Sequence, residues 1–174
     1  MPKIRSCALP DSALLQKYAV EGTYTDCYAV DLDRRISQSE FVSAFYTTWL
    51  FKLERWILAW AVNRPSSDAQ ASELAAATRD AFAAWRVEQR THDQLLMCDF
   101  IGRTRSWLMT AARADHEDCT RLYFGSAVVP RVDPATGARS LGVSYRALLG
   151  FHKLYSRLLL GAACARLYRR ANSL

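Results

Sequence analysis

The acid most out of place in this chain is Asp99, set inside the apolar run LLMCDFI. Burial there would move its pKa toward use as a general acid or base. Arg105, on the next predicted strand, stands where it could pair with that carboxylate. The same two residues also fit a structural ion pair or a strand-end acid facing water. Trp107, Tyr123 and Tyr155 would line a cavity and offer indole or hydroxyl donors, although aromatics at these spacings serve equally as core. His152, beside Phe151, fits either an acid–base group or a hydrogen-bonded residue at a helix edge. Asp115, His116, Glu117 and Asp118 crowd four potential metal ligands into one loop. Consecutive loop residues rarely converge on an ion without ligands from elsewhere, so no metal is expected.

Cys7, Cys27, Cys98, Cys119 and Cys164 are widely spread, odd in number and without a C-x-x-C pair. They fit neither a disulfide framework nor a zinc site and read as reduced thiols of a cytoplasmic protein. There is no Gly-rich phosphate loop, no G-x-S-x-G and no H-E-x-x-H, so no cofactor is expected and the residues leave open whether the chain is an enzyme.

The elements that would position these residues follow from periodicity. Residues 26–32, DCYAVDL, read as a first strand after an irregular arm over 1–23. Ser37 and Glu40 have capping-box spacing and start a helix. Trp49, Leu53, Trp56, Ile57 and Trp60 then form an amphipathic stripe, with Thr47 and Thr48 dividing the region into two short helices and Pro65 ending it. An alanine-rich helix is expected over 68–80. From Trp85 the period becomes two, giving strands over 85–90, 94–101, 103–113 and 120–132. The intervening segments are too short for crossover helices, so these strands are antiparallel neighbours. Asp133 to Gly137 is a turn signal, with a short strand at 140–142. A helix of about 28 residues, roughly 40 Å long, closes the chain with Leu148, Phe151, Tyr155, Leu158, Leu159 and Ala162 on one face. Arg146, Lys153 and Arg157 fall on another.

This order of strand, two helices, antiparallel strands and long final helix resembles the helix-grip domains of the START and polyketide-cyclase (SRPBCC) superfamily over residues 24–170. The segments TRLYFGSAVV (120–129), GVSY (142–145) and LGFHKLYSR (149–157) look like the end of DUF2867-type proteins, which close with a strand, a Gly-x-x-Tyr step and a helix carrying a Phe-His pair. The resemblance implies a single α+β domain in which a curved antiparallel sheet wraps around a long C-terminal helix. It also implies an apolar cavity between them for a lipid-, polyketide- or aromatic-like molecule. Asp99, Arg105, Trp107, Tyr123 and Tyr155 are the candidate lining residues.

The 174 residues suffice for one good core. No apolar run reaches the roughly 18 residues of a membrane span, and Pro10 and Asp11 interrupt the early segment where a signal peptide needs its apolar stretch. The net charge of +6 is concentrated at the end, because seven basic residues and no acid follow Asp133. Arg166, Arg169 and Arg170 make too small a cluster for a nucleic-acid face. Any membrane contact would be peripheral, since the apolar side of the final helix is needed by the sheet. Three readings stand together: a small-molecule-binding module, a cyclase- or dehydratase-like enzyme using Asp99 and a tyrosine, and an interaction protein with a filled core.

Overall fold

The computed structural model describes residues 3–20, 23–53, 66–113, 116–132, 137, 139–140 and 143–171, with backbone alone at 116–117, 131–132, 139–140, 143–152 and 170–171. The expected stripe residues Trp56, Ile57 and Trp60, the stop at Pro65, Asp115, the start of the turn at 133–136 and Gly142 lie outside the described residues, as do the side chains of Arg146, Phe151 and His152.

The fold is α+β. Its strands are β1 (Arg5–Ser6), β2 (Tyr24–Leu32), β3 (Ala81–Phe82), β4 (Trp85–Arg90), β5 (Gln94–Asp99), β6 (Thr104–Arg113), β7 (His116–Val128), β8 (Arg131–Val132) and β9 (Arg139–Ser140). The helices used below are α1 (Gln38–Tyr46), α2 (Asp68–Ala75) and α3 (Val143–Ala171). A seven-stranded sheet runs β1-β2-β7-β6-β5-β4-β3, and β8 and β9 form a separate hairpin. All pairings are antiparallel. Among the described residues no helix is long and apolar enough to cross a membrane.

Local chemistry explains the boundaries. Ser37 Oγ accepts from the Glu40 amide while the Glu40 carboxylate accepts from the Ser37 amide, the capping box expected for α1. Ser67 and Gln70 start α2 in the same way. This helix is shorter than the expected 68–80. The Ala77 amide bonds to the Leu74 carbonyl and the Thr78 amide to the Glu73 carbonyl. That closing motif puts Ala77 at φ +61°, and the chain then turns into β3.

The expected strand over 120–132 begins earlier and breaks. Its pairing with β6 reaches back to Arg113 opposite His116, so the expected acidic loop is largely strand. Pro130 lacks the amide needed to continue the ladder, and β8 starts beyond it.

One face of the sheet carries the larger core. Tyr28, Val30 and Leu32 of β2, Leu95 and Met97 of β5, Leu108 of β6 and Leu122 and Phe124 of β7 pack against α1, α2 and α3. Phe45 is its hub, with ring centroids at 6.2 Å from Phe41, 5.3 Å from Tyr46, 6.1 Å from Phe51 and 4.9 Å from Phe124. The helices meet the core on stripes that match those expected only in part, with Leu159 and Tyr155 of the expected α3 stripe on the core. Phe51 is buried, whereas Trp49 and Leu53 are exposed. On α3 the buried line is Ser156, Leu159, Leu160, Ala163, Cys164 and Leu167, and Leu158 points outward. On α3 the buried line is offset from the expected stripe and shares Leu159 with it, because apolar side chains spread around more than one face of the helix.

The opposite face is covered by the N-terminal arm, which is more ordered than the irregular segment expected over 1–23. Beyond β1 the arm forms a 3-10 helix, Leu14–Tyr18, that drops Leu15 onto Cys27, Leu96, Trp107, Met109 and Ala127. Gly125 makes this possible. A Cβ there would stand 2.8 Å from the Asp26 carbonyl oxygen and 3.0 Å from both Leu15 Cδ2 and Trp107 Cε3.

Candidate functional site

Strand alternation divides the expected site residues between the two faces. Asp99 lies at the end of β5 on the helix-covered side and is only 9% exposed. Its Oδ1 accepts from the Arg103 amide at 2.7 Å, capping the turn that carries Gly102 at φ +74°. Arg105 does not meet it. Arg105 opposes Cys98 in the β5–β6 ladder and projects to the arm-covered side, where its Nε donates to Glu88 Oε2 at 2.9 Å and its guanidinium lies 4.6 Å from the Tyr18 ring centroid. Trp107 and Tyr123 belong to that same side, with ring centroids 6.1 Å apart. Tyr155, carried by α3 itself, alone of the five packs against the edge of the main core.

The arm-side residues form an anchoring network. Gln94 Oε1 accepts from the Leu14 amide and from Trp107 Nε1, both at 2.9 Å, while its Nε2 donates to the Ser12 carbonyl at 3.0 Å. Glu88 receives the Tyr18 hydroxyl at 2.5 Å and lies 2.7 Å from Lys17 Nζ. Burial pushes the Glu88 pKa up, but the hydrogen bonds from Lys17 and Tyr18 and the charge of Arg105 outweigh it and hold the carboxyl below its ordinary value. Burial and the bond to Glu88 raise Tyr18. Every polar group in this network faces a protein partner, which is the arrangement of a clamp.

Space for a ligand occurs elsewhere. The described interface between sheet and helices is filled by the Phe45 ring cluster, and a cleft of 540 Å³ opens along the flank of α3 where β2 runs past β1. Ile4, Gly161, Cys164 and Ala165 make its apolar walls, and Asp31, Asp33 and Tyr168 supply its polar groups. The small residues on α3 are what leave room, since a bulky side chain at Gly161 would meet Ile4.

Asp31 is neutralised from the arm-covered side. Arg121 binds it through two bonds of 2.6 and 3.1 Å, Arg5 adds a third at 2.8 Å, and Arg113 stands 3.8 Å away. The hydrogen bonds from Arg121, and then those from Arg5, outweigh burial and bring its carboxyl down to about 2. Asp33 is the second carboxylate of the cleft. Burial, then the Asp33 charge, raise the Tyr168 phenol, and burial pushes the Cys164 thiol up to about 12. The cleft therefore combines an apolar wall, a neutral hydroxyl donor and the Asp33 carboxylate. This suits an apolar body with a polar or cationic end.

Sequence reasoning missed Ile4, Asp31, Asp33, Gly161, Cys164, Ala165 and Tyr168 as a group. Their only legible signal was the small-residue stretch Gly161 to Ala165 within a helix otherwise rich in Leu and Arg. Among the described residues no three His, Cys, Asp or Glu side chains come together as metal ligands. No protein-family model, curated protein or solved structure matches the chain.

Proposed function

We propose that the protein is a small-molecule-binding module of the helix-grip kind, related in architecture to the START and polyketide-cyclase domains. Its binding site is the cleft between the sheet edge and α3, and its ligand is an apolar or aromatic molecule with one polar or cationic end. The observation that carries this reading is the 540 Å³ cleft with apolar walls and Asp33 and Tyr168 as its polar end, a volume within the roughly 300–1,000 Å³ of small-molecule sites. The order of the sheet supports the architecture, because β2 joins the last long strand, β7, before the chain enters α3. The apolar body would lie on Gly161 and Ala165, and the polar end would meet Asp33 and the Tyr168 hydroxyl.

Titration with Nile red, a neutral apolar dye, tests the reading by fluorescence. The expected result is saturable binding that Gly161→Leu abolishes by filling the cleft and that Asp33→Asn leaves intact for this uncharged probe. Native mass spectrometry of the purified chain should show a retained apolar molecule that the Gly161→Leu protein lacks. Equal dye binding by both proteins would place the apolar site elsewhere and overturn the proposal.

A further inference from the structure

We propose that Cys7 and Cys27 form an oxidisable dithiol that reacts with a small anionic disulfide of the glutathione type, closing to a reversible Cys7–Cys27 disulfide that ties the N-terminal arm to β2. The two residues are far apart in sequence and are joined by register. Arg5 opposes Ala29 and Ser6 opposes Tyr28, so the next step of the same ladder brings Cys7 opposite Cys27. The Cys7 amide donates to the Cys27 carbonyl at 3.0 Å, and the two Sγ atoms are 3.4 Å apart. A disulfide needs about 2.05 Å, a gap that small side-chain rotations close while the backbone stays paired. The other three cysteines are placed differently: Cys98 and Cys164 are buried in separate parts of the fold, and Cys119 faces the Asp33 carboxylate at 3.9 Å.

The surroundings supply access and charge. Cys7 and Cys27 are among the residues lining a groove of 670 Å³ between the arm, β2 and α3, together with Gln16, Ala19, Lys153 and Arg157. The Arg157 guanidinium rests 5.7 Å from the Tyr28 ring centroid, and both residues line the groove. Asp26, the acid of this groove, accepts from the Ser126 amide and hydroxyl at 2.9 and 2.6 Å. Lys153 and Arg157, the exposed cations of the same groove, favour an oxidant carrying carboxylates.

Exposure assigns the roles. Cys7 is partly exposed and Cys27 is buried. Burial, and then the neighbouring Cys7, push the Cys27 thiol far above its ordinary value and keep it protonated. The Cys7 thiolate attacks one sulfur of the external disulfide RS–SR, forming Cys7–S–S–R and expelling RS⁻. That thiolate takes the Cys27 proton, and Cys27 sulfur attacks Cys7 sulfur and expels the second RS⁻, which is protonated by water. The protein dithiol loses two electrons and two protons, and the disulfide is reduced to two RSH.

Peptide mass spectrometry after incubation of the full chain with glutathione disulfide tests this. The expected product is a Cys7–Cys27 cross-link that dithiothreitol reverses. Cys27→Ala should leave a persistent glutathione adduct on Cys7, and Cys7→Ser should leave Cys27 unmodified. Lys153→Glu combined with Arg157→Glu should slow the reaction by about tenfold with glutathione disulfide and leave the rate with uncharged hydroxyethyl disulfide unchanged. Recovery of both cysteines as free thiols, or as independent adducts, would overturn the dithiol. Equal rates with glutathione disulfide before and after the charge reversal would overturn the anionic class of oxidant.

Discussion

The two faces of the sheet are held by different physics. The helix-covered face is closed by volume: Phe41, Phe45, Tyr46, Phe51, Phe82 and Phe124 interlock with aliphatic residues from the strands and α3. The arm-covered face is closed by direction, through Leu15 over Gly125, Gln94 bonded to Ser12, Leu14 and Trp107, and Glu88 shared among Lys17, Tyr18 and Arg105. Apolar packing is non-directional and tolerates rearrangement when volume is kept. A small set of directional bonds depends on every partner. The arm is therefore the part of the molecule that a single chemical change can release or lock.

The largest expected effect comes from breaking the volume side. Phe45→Ala removes the hub ring and should cost about 3–5 kcal/mol of stability, read as a lowered urea midpoint with loss of cooperative unfolding of the whole fold. Breaking the directional side gives a different pattern. Gln94→Leu keeps the bulk but strips partners from Trp107 Nε1 and the Leu14 amide, a cost of roughly 2–3 kcal/mol. Hydrogen exchange should then accelerate in the arm first and leave α1 and α2 protected. If both variants open the same amides to the same extent, the two faces are one cooperative unit and the contrast fails.

Acid sharpens the contrast further. Arg5 of the arm and Arg121 of β7 hold the Asp31 carboxyl down at about 2. Folding lowers this pKa, so ionised Asp31 contributes stability that is fully present above about pH 4 and lost as pH falls toward 2. Its size is at most roughly 2 kcal/mol, given solvent screening of a partly exposed cluster. The acid limb of the stability curve should flatten in Asp31→Asn.

The smallest effect is a gain. Ala77 occupies the left-handed position that closes α2, where glycine carries no Cβ penalty. Ala77→Gly should therefore stabilise the helical layer by about 0.5–1 kcal/mol, visible as a raised Tm with arm exchange unchanged.

The sequence made much of this architecture legible. The capping pair Ser37 and Glu40, the change to period two at Trp85 and the short connections were enough for an α+β order with antiparallel neighbours and a final helix. The second covered face was harder to see because the arm carries no long periodic segment. Its signal lay in the strand it covers. Residues 94–99, QLLMCD, are buried throughout, and a strand covered on both sides reads as a continuous apolar run instead of an alternating one. Asp99 drew attention for its apolar neighbours, yet it binds the Arg103 amide four residues on, a local contact that hydropathy alone does not reveal. Trp107 and Tyr123 were legible as packing aromatics, but the side they face depended on register, and so did the partner of Arg105, which is Glu88 and not the expected Asp99. The cleft was least legible, since Ile4, Asp31 and Gly161 are brought together only by the docking of α3 against the sheet edge.

The bond that the Leu14 amide donates to Gln94 spans 80 residues, which gives the arm a place in time as well as in space. Closing so long a loop carries an entropic cost that local turns do not. Gln94, Trp107 and Gly125 are all synthesised long after the arm that rests on them. The 3-10 helix of the arm therefore has no complete seat until β5, β6 and β7 have been made, even though β1 can pair with β2 before then.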